Sequence, residues 1–337
     1  MEESEKLIPF CNPGWLPAAA RVDVDKAIRR VLDTGVFLHG PETLAFEREF
    51  AEYCGVPHCI LVSSGTAALA LAARRTGLAR VVLPGICPAA VPCALDCERI
   101  PWRVALSPID LYSSGLHLHV YGDQQVKLAQ TQCWVDDCSQ AVGSWIRYAR
   151  PIDALVVSHY PSKPLGAFGD AGSILVHDDD LAVKLRSDRE YGWDDFRLVQ
   201  ERGKGNLRCD ELQAAVLRVK LRCLDELNAM RHALAETYFD CWQSKRQDGY
   251  CPIGFSEVVH LLVVSFGSGA DREKARMKLE GMGIGTGWHY PHLLEHPSWG
   301  RGDTEACFAA RCLLSLPLWA GMMREQVRDV CDVLRTF

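Results

Sequence analysis

Short apolar runs recur along the first two thirds of the chain, and segments of helical periodicity separate them. An apolar run bounded by Gly, Pro or Ser is typical of a buried strand. Strands that alternate with helices favour a mostly parallel sheet that is covered on both faces. The predicted strands are CILVSS (59–64), VVLP (81–84), LHLHVYG (116–122), QCWV (132–135), ALVVS (154–158) and SILV (173–176).

Amphipathic segments predict the helices of this α/β arrangement. Gly55 follows the second of them and is expected to end it in the left-handed conformation. Three aspartates precede the fourth, which suits the positive end of a helix dipole. A Pro-rich loop is expected at 85–92. The predicted helices are 21–32, 42–54, 66–75, 181–188, 210–242 and 271–283.

The pattern changes near Cys209, where one long helical stretch replaces the alternation. Beyond that stretch, the apolar run 258–266 and the helix after it predict a smaller α/β unit. We therefore expect a large domain over 20–225 and a small domain built from 1–19 together with 226–337.

Composition places the chain among ordinary globular proteins. Its 337 residues are 48% hydrophobic and 24% charged, which is enough for a large core. The net charge of −6 is unlike that of a nucleic-acid-binding surface, which needs clustered Lys and Arg. The acidic start MEESEKLIPF lacks the features of a signal peptide, and no uninterrupted apolar stretch has transmembrane length. We expect a cytoplasmic protein with no nucleic-acid or membrane partner.

Cysteine usage fits the same expectation. Fifteen cysteines are too few for a disulfide-stapled secreted scaffold of this length. Cys87, Cys93 and Cys97 are not spaced as zinc ligands are, and the chain contains no C-x-x-C pair. We therefore expect reduced thiols and no metal site.

Three polar clusters follow predicted strands, and ligands of such sheets gather beyond the carboxyl ends of the strands. The first cluster is SSGTAAL (63–69). Gly65 lets the backbone approach a ligand, and the free N–H groups of the next helix can hold an anion. A plain strand–turn–helix junction capped by Ser64 explains the same letters.

The other two clusters carry a carboxylate and an amine. In VDDCSQ, Asp136 and Asp137 end a strand and Gln140 follows. A buried carboxylate there can hold a protonated ring nitrogen or a metal, or it can cap a helix. In SHYPSKPLG (158–166), Lys163 lies in a loop stiffened by two prolines and a glycine. A lysine attacks carbonyl carbons once desolvation removes its proton, and a solvated loop lysine is the alternative.

Together the three clusters match the needs of pyridoxal 5'-phosphate. The lysine forms a Schiff base with the aldehyde, the aspartate keeps the pyridine nitrogen protonated, and the helix start holds the phosphate. The conjunction is more specific than any one cluster.

These segments resemble the DegT/DnrJ sugar aminotransferases, which are fold-type-I pyridoxal-phosphate enzymes, and the chain looks like a shortened member. The resemblance implies a large domain with a mostly parallel sheet and a smaller α/β C-terminal domain. The similar segments are TGVFLHGPETLAFEREFAEYCG, SSGTAAL, HVYG, VDDCSQAVGS, SHYPSKPLGAFGDAGSILV, GKGNLRCDELQAAVL, GIGTGWHYPHL and LLSLPLW.

The resemblance implies a role for each matching cofactor residue. Lys163 would be the Schiff-base lysine, Asp137 the partner of the pyridine nitrogen, and Gln140 a neighbour of the cofactor's phenolic oxygen. The phosphate ligands implied in the same way are Gly65, Thr66 and Ser158.

Further matches concern the partner subunit and the substrate. Asn206 matches an asparagine that reaches the phosphate of the neighbouring subunit. The resemblance therefore implies a homodimer with its active site at the subunit interface. His289 and Tyr290 match a segment near the substrate mouth, and an aromatic packing cluster explains WHYPH equally well.

The chain also departs from the family pattern. The family usually places an aromatic residue against the cofactor ring a few residues after VLP, where this chain has Pro88. Two stretches, one on each side of HVYG, are shorter than usual. His159 stands where the pattern usually has an aromatic residue.

The expected function is amino transfer from glutamate to a keto-sugar, linked to a nucleotide, by a ping-pong mechanism. Lys163 would be both covalent anchor and general acid/base. One alternative is a lyase or dehydratase that acts on an amino sugar, a group in which histidine often replaces the lysine. Another is a catalytically weak homologue that binds the cofactor, because Pro88 is unusual. The keto substrate and the carbon that receives the amine are not identified by the sequence.

Overall fold

The elements are those of a computed structural model, which describes residues 7–105, 115–122, 135–143, 153–194, 197–200, 205–243, 250–253, 258–290 and 304–335. The described strands are β1 (His58–Val62), β2 (Val81–Leu83), β3 (Trp102–Val104), β4 (Leu116–Leu118), β5 (Val135–Asp137), β6 (Ala154–Ser158), β7 (Gly172–Val176), β8 (Tyr250–Pro252), β9 (Leu262–Phe266) and β10 (Leu313–Leu316). The described helices are α1 (Ala18–Thr34), α2 (Pro41–Cys54), α3 (Gly65–Arg75), α4 (Ala90–Cys97), α5 (Asp179–Arg189), α6 (Glu211–Arg222), α7 (Leu224–Gln243), α8 (Gly269–Gly281), α9 (Thr304–Cys312) and α10 (Arg324–Leu334).

The central sheet has the strand order β1-β7-β6-β5-β4. Strands β4, β5 and β6 are parallel, and β2 and β3 form a further parallel pair. Strand β7 alone reverses the direction, because it is antiparallel to both β1 and β6. The α/β class with a mostly parallel sheet, predicted from the alternation of strands and helices, is confirmed.

Two apolar cores cover the central sheet, and a third lies toward the C-terminus. Residues of α3 and α4 pack on one side of the sheet, and residues of α2 and α6 pack in the other core. The third core joins α7, α8 and α10 to β9 and β10, and it includes Ile8. Ile8 also pairs with Ile284, which ties the N-terminal segment to this core. The domain boundaries given above stay a prediction.

Local signals in the sequence account for several helix ends. Helix α2 ends where the glycine predicted it, and Gly55 has a φ of 71° with its N–H bonded back into the last turn. Gly35 ends α1 in the same way, with a φ of 65°. Asp178 caps α5 by accepting the N–H of Leu181, and two further aspartates lie in the first turn. Side chains and glycines therefore satisfy the free backbone groups that every helix end exposes.

Four predicted elements differ from the structure. The strand expected over 116–122 ends at Leu118, and Val120–Gly122 form a 3-10 turn. The helix expected over 210–242 is interrupted at Cys223, whose ψ of 6° leaves the helical range, so α6 and α7 are separate helices. The loop expected at 85–92 is wrong in its last part, because α4 begins at Ala90. Pro92 fits there because N–H groups of a first turn have no acceptor within the helix. Of the predicted strand 132–135, only Val135 is described, and β5 extends from it to Asp137.

Across the part of the chain that the structure describes, no helix has both the length and the apolar character needed to span a bilayer.

Candidate active site

One cavity beyond the carboxyl ends of β5 and β6 gathers most of the residues singled out in the sequence. Three sequence-distant segments contribute to it: the start of α3, the end of β5 and the loop after β6. The predicted cofactor residues that line this cavity are Gly65, Thr66, Asp137, Gln140, Ser158 and Lys163. These residues are therefore close enough to act on one ligand.

The start of α3 forms a close-packed turn at one end of the cavity. Ser64 caps the helix, because its Oγ accepts the N–H of Ala67 at 3.1 Å. A Cβ on Gly65 would lie 2.5 Å from Cβ of Ser158, and a Cβ on Gly172 would lie 2.3 Å from the carbonyl oxygen of Ser64. Only glycine permits both approaches. The turn is thus a strand–turn–helix junction capped by Ser64, which was one of the two interpretations of this cluster. It also brings the first N–H groups of α3 to the cavity.

Asp137 lies at the end of β5, on the cavity wall. Its Oδ1 accepts the N–H of Ser139 at 3.0 Å. Burial raises the pKa of Asp137, while the hydrogen bonds from Ser139 and the charge of Lys163 oppose the rise. A positively charged group bound beside this carboxylate would keep it ionised.

Lys163 lies in a loop that folds tightly on itself. Its N–H donates to the carbonyl oxygen of Tyr160 at 2.8 Å. A Cβ on Gly166 would lie 2.3 Å from the carbonyl oxygen of Pro161, so the loop needs glycine at this position. Burial lowers the pKa of Lys163 to about 8, although the charge of Asp137 acts in the opposite direction. The amine therefore loses its proton more readily than an exposed lysine does.

His159 anchors the base of the same loop. Its Nδ1 donates to the carbonyl oxygen of Leu165 at 2.9 Å, so its Nε2 accepts the hydroxyl of Ser173 at 2.7 Å. The ring packs edge-on against Phe46 and Phe50, each with centroids 5.5 Å away. Burial lowers the pKa of His159 to about 4, which keeps the imidazole neutral. The histidine thus packs as an aromatic residue would, and it adds two hydrogen bonds that hold the loop.

Gln140 connects the cavity to the segment that contains His289 and Tyr290. Its Oε1 accepts the N–H of Tyr121 at 3.0 Å, and its Nε2 donates to the hydroxyl of Tyr290 at 2.9 Å. The hydroxyl of Tyr121 donates to the carbonyl oxygen of His289 at 2.6 Å. The imidazole of His289 also stacks on Phe10. Both interpretations of WHYPH therefore have a basis in the contacts, and the substrate role of this segment stays a prediction. Tyr121 was missed, although HVYG contains it.

A second missed group lies behind Asp137. The register of β4 and β5 pairs His117 with Asp136. His117 Nδ1 and His119 Nε2 lie 3.0 and 2.8 Å from the same Oδ1 of Asp136. Burial alone would raise the pKa of Asp136, but the hydrogen bond with His117 and the close imidazole of His119 outweigh it and hold the pKa well below its usual range. Within the described ranges, His117, His119 and Asp136 form a group whose ligand atoms lie close enough together to hold a metal ion, and the expectation of no metal site stays a prediction.

The wall near Pro88 is built from small apolar groups. Pro88 lines the cavity with Ala90 and Val91. His119 and Tyr160 supply the rings of the lining. The structure therefore places Pro88 on the cavity wall, and the departure from the family pattern stays a prediction.

Asn206 does not line the cavity of its own chain. It is exposed, and its Oδ1 accepts the N–H of Arg208 at 3.3 Å. The role predicted for Asn206 concerns a neighbouring subunit, and it stays a prediction.

Comparison with known proteins identifies the family. The profile of the DegT/DnrJ/EryC1/StrS aminotransferase family matches residues 19–111 and 126–335. The chain belongs to this family. It is an aminotransferase, and the resemblance seen in the sequence is confirmed.

Two curated relatives and one solved structure illustrate the similarity of this aminotransferase to known members. The erythromycin biosynthesis sensory transduction protein EryC1 of Saccharopolyspora erythraea is 37% identical over 261 residues, which is 68% of this chain and 70% of that protein. The dTDP-3-amino-3,4,6-trideoxy-alpha-D-glucose transaminase of Streptomyces venezuelae is 34% identical over 97% of this chain and 95% of its own. The crystal structure of S. venezuelae DesV in complex with a ketimine intermediate has a TM-score of 0.86 and 30% identity, over 98% of each chain.

Proposed function

We propose that this aminotransferase uses pyridoxal 5'-phosphate to move an amino group from glutamate to a keto-sugar that is carried by a nucleotide. The observation that carries the proposal is the presence of Lys163, Asp137 and the start of α3 in one cavity. Two relatives support the substrate class by name, one a dTDP-amino-sugar transaminase and the other a UDP-2-acetamido-2-deoxy-3-oxo-D-glucuronate aminotransferase of Pseudomonas aeruginosa that is 28% identical.

The residues in the cavity fit this cofactor. The start of α3 offers N–H groups at Gly65 and Thr66, and the side chain of Ser158 lies beside them. A methyl group on Gly65 would fill this cradle, so the glycine keeps it open for a phosphate. When bound, pyridoxal phosphate supplies an aldehyde that condenses with amines and a ring that draws electrons from the neighbouring carbon.

Asp137 would hold the proton of the pyridine nitrogen. Its carboxylate is partly buried and already accepts one N–H, and partial burial strengthens an ionic hydrogen bond. Replacement by a neutral amide would remove the charge that keeps the ring nitrogen protonated.

Lys163 would bind the cofactor aldehyde and later move a proton at its Nζ. A pKa of about 8 leaves a substantial neutral fraction of the amine near neutral pH, and only the neutral amine attacks a carbonyl or accepts a proton. The histidine-anchored loop fixes the position of Nζ, which matters because acid/base groups act at hydrogen-bond distance.

A homodimer belongs to the same proposal. Two apolar runs, 36–38 and 198–199, are exposed in the single chain, and clustered exposed apolar side chains are typical of interaction surfaces. The first run leads to His39, which contacts Glu190 at 3.0 Å, and Glu190 pairs with Asn206 in a β-bridge. A partner that covers this surface would lie next to Asn206, as a site shared between subunits requires.

Separate half-reactions test the proposed function. The cofactor-loaded protein is incubated with glutamate, desalted, and then given dTDP- or UDP-linked 3-keto-sugars. We expect 2-oxoglutarate in the first step and an aminated nucleotide sugar, detected by mass spectrometry, in the second. The K163A variant should do neither. Formation of 2-oxoglutarate without amination of any keto-sugar would contradict the proposed acceptor, and a spectrum that glutamate leaves unchanged would favour a weak cofactor-binding homologue.

A further inference from the structure

A second, smaller cavity adjoins the first at Lys163, which lines both. Its volume is about 50 Å³, against about 210 Å³ for the cofactor cavity. Lys220 of α6, Arg231 of α7 and His260 also line it. The cavity therefore has room for a small polar group next to the reactive amine, and basic side chains form part of its wall.

Two of these side chains are cations with little compensation, and of these Lys220 is buried whereas Arg231 is partly buried. Lys220 is 5% exposed, and its Nζ lies 5.4 Å from the centroid of the Phe168 ring. Arg231 has a buried Nε without a hydrogen-bond partner, and its guanidinium donates to the neutral side-chain oxygen of Asn228. Burial and, next, the charge of Arg231 lower the pKa of Lys220 to about 8. Burial also lowers the pKa of Arg231 to about 10.

No negative charge balances this pair within the described ranges of the chain. Neither Lys220 nor Arg231 forms an ion pair with Asp or Glu there, and no carboxylate charge acts on the pKa of either. His260 adds no charge, because burial lowers its pKa well below the usual value. Buried charges in proteins are normally paired, so two cations that face one small cavity favour an anion between them.

We propose that Lys220 and Arg231 bind the α-carboxylate of the amino-acid donor, an assignment that rests on the proposed aminotransferase function. An α-amino acid carries this carboxylate on the same carbon as the reacting amine, so its site must adjoin Lys163, as this cavity does. The planar guanidinium matches the two carboxylate oxygens, and the ammonium adds a point charge. The nucleotide sugar, which lacks such a group beside its ketone, would not use the subsite.

Binding to the cofactor-free protein tests the subsite without any turnover. Calorimetric titrations use 2-oxoglutarate and pyruvate with the wild type, K220M and R231Q. Methionine keeps an unbranched chain against Phe168 and removes the charge. We expect each variant to bind both keto acids about 10- to 100-fold more weakly, because a charge-assisted contact is lost. The matched control is K184M, which makes the same substitution at an exposed residue of α5 and should bind as the wild type does.

The half-reactions add a second readout. In K220M, the glutamate concentration that half-saturates the donor step should rise by the same factor of about 10 to 100. The rate of the keto-sugar step, measured on K220M already loaded with the aminated cofactor, should stay within about twofold of the wild type. A merely structural role of Lys220 would impair both steps alike. Thermal unfolding checks that each variant is folded, and R231Q carries the test alone if K220M is not.

Three results would overturn the subsite. The first is that both variants bind the keto acids as tightly as the wild type does. The second is that K220M slows the donor step and the keto-sugar step by the same factor. The third is that the variants bind 2-oxoglutarate more weakly but pyruvate as tightly as before. The last would mean that the cations hold the distal carboxylate. Failure of the proposed function looks different: keto acids bind as predicted and donors react, yet no keto-sugar accepts the amine.

Discussion

Replacing His159 with phenylalanine should remove part of the protein's sensitivity to acid. The folded-state pKa of His159 is about 4, whereas an unfolded histidine has a pKa of about 6.5. Below pH 6.5 the unfolded chain therefore takes up a proton that the folded chain refuses. The contribution of His159 to stability is complete above pH 6.5, and it declines as the pH falls toward 4.

The size of the effect follows from the two pKa values. Between pH 7 and pH 5, proton uptake by the unfolded chain at this one residue lowers the free energy of unfolding by about 2 kcal/mol. The full loss, reached below pH 4, is about 3 kcal/mol. The imidazole is completely buried, so solvent screening does not reduce these values.

Urea unfolding at pH 7 and pH 5 measures the effect in the wild type and in H159F. The variant loses the bonds to Leu165 and Ser173, which costs about 1–3 kcal/mol at both pH values. The informative quantity is therefore the change between the two pH values, which should be smaller in H159F by about 2 kcal/mol. His260 and His289, whose pKa values are also lowered, titrate in both proteins and cancel in the comparison.

The control is H177F, which makes the same replacement at an exposed histidine that follows β7. Its change between pH 7 and pH 5 should equal that of the wild type. If H159F also loses as much stability as the wild type between these pH values, the imidazole is not held neutral in the fold. The hydrogen bonds assigned to its neutral tautomer would then be wrong.

Three further predictions concern the candidate site. G65A should lower the free energy of unfolding by about 1–3 kcal/mol and weaken pyridoxal phosphate binding, because its Cβ would lie 2.5 Å from Ser158 Cβ. The control G267A, whose Cβ would have no atom within 4 Å, should change neither quantity. Urea unfolding and cofactor titration measure the two effects. D137N should lower the pKa of Lys163, because the carboxylate charge of Asp137 raises that pKa. Competitive acetylation of the cofactor-free protein over a range of pH measures the shift. An unchanged pH profile would count against the interaction between the two residues. Mixing K163A with N206A, each of low activity alone, should restore about a quarter of wild-type activity through mixed dimers, and no recovery would argue against a shared site.

Much of the fold was predictable because its signals are local. The end of α2 depends on Gly55, and the lysine loop depends on Gly166 and two prolines, all within a few residues of the feature that they shape. The candidate site was predictable for a related reason. Its three clusters each follow a strand, and parallel strands bring their carboxyl ends to the same edge of the sheet.

The residues that the sequence did not reveal depend on contacts between distant segments. His117 meets Asp136 only through the register of β4 and β5, which no local pattern specifies. Lys220 and Arg231 lie in a segment that reads as one continuous helix, and the break at Cys223 separates them onto α6 and α7. Tyr121 bonds to a residue 168 positions away. Such pairs follow from tertiary packing, so propensity and periodicity carry no trace of them.

Lys163 and Lys220 differ in the charge that lies closest to each of them. Burial lowers the pKa of Lys163 and of Lys220 to about 8, but a carboxylate opposes this effect at Lys163 and a guanidinium reinforces it at Lys220. A cation bound beside Asp137 would neutralise that carboxylate and make Lys163 still easier to deprotonate. An anion beside Lys220 would do the opposite and keep the ammonium charged. In the proposed function, Lys163 therefore loses its proton more readily once the cofactor binds, as a nucleophile requires. In the proposed subsite, Lys220 keeps its proton when the donor binds, as a carboxylate ligand requires.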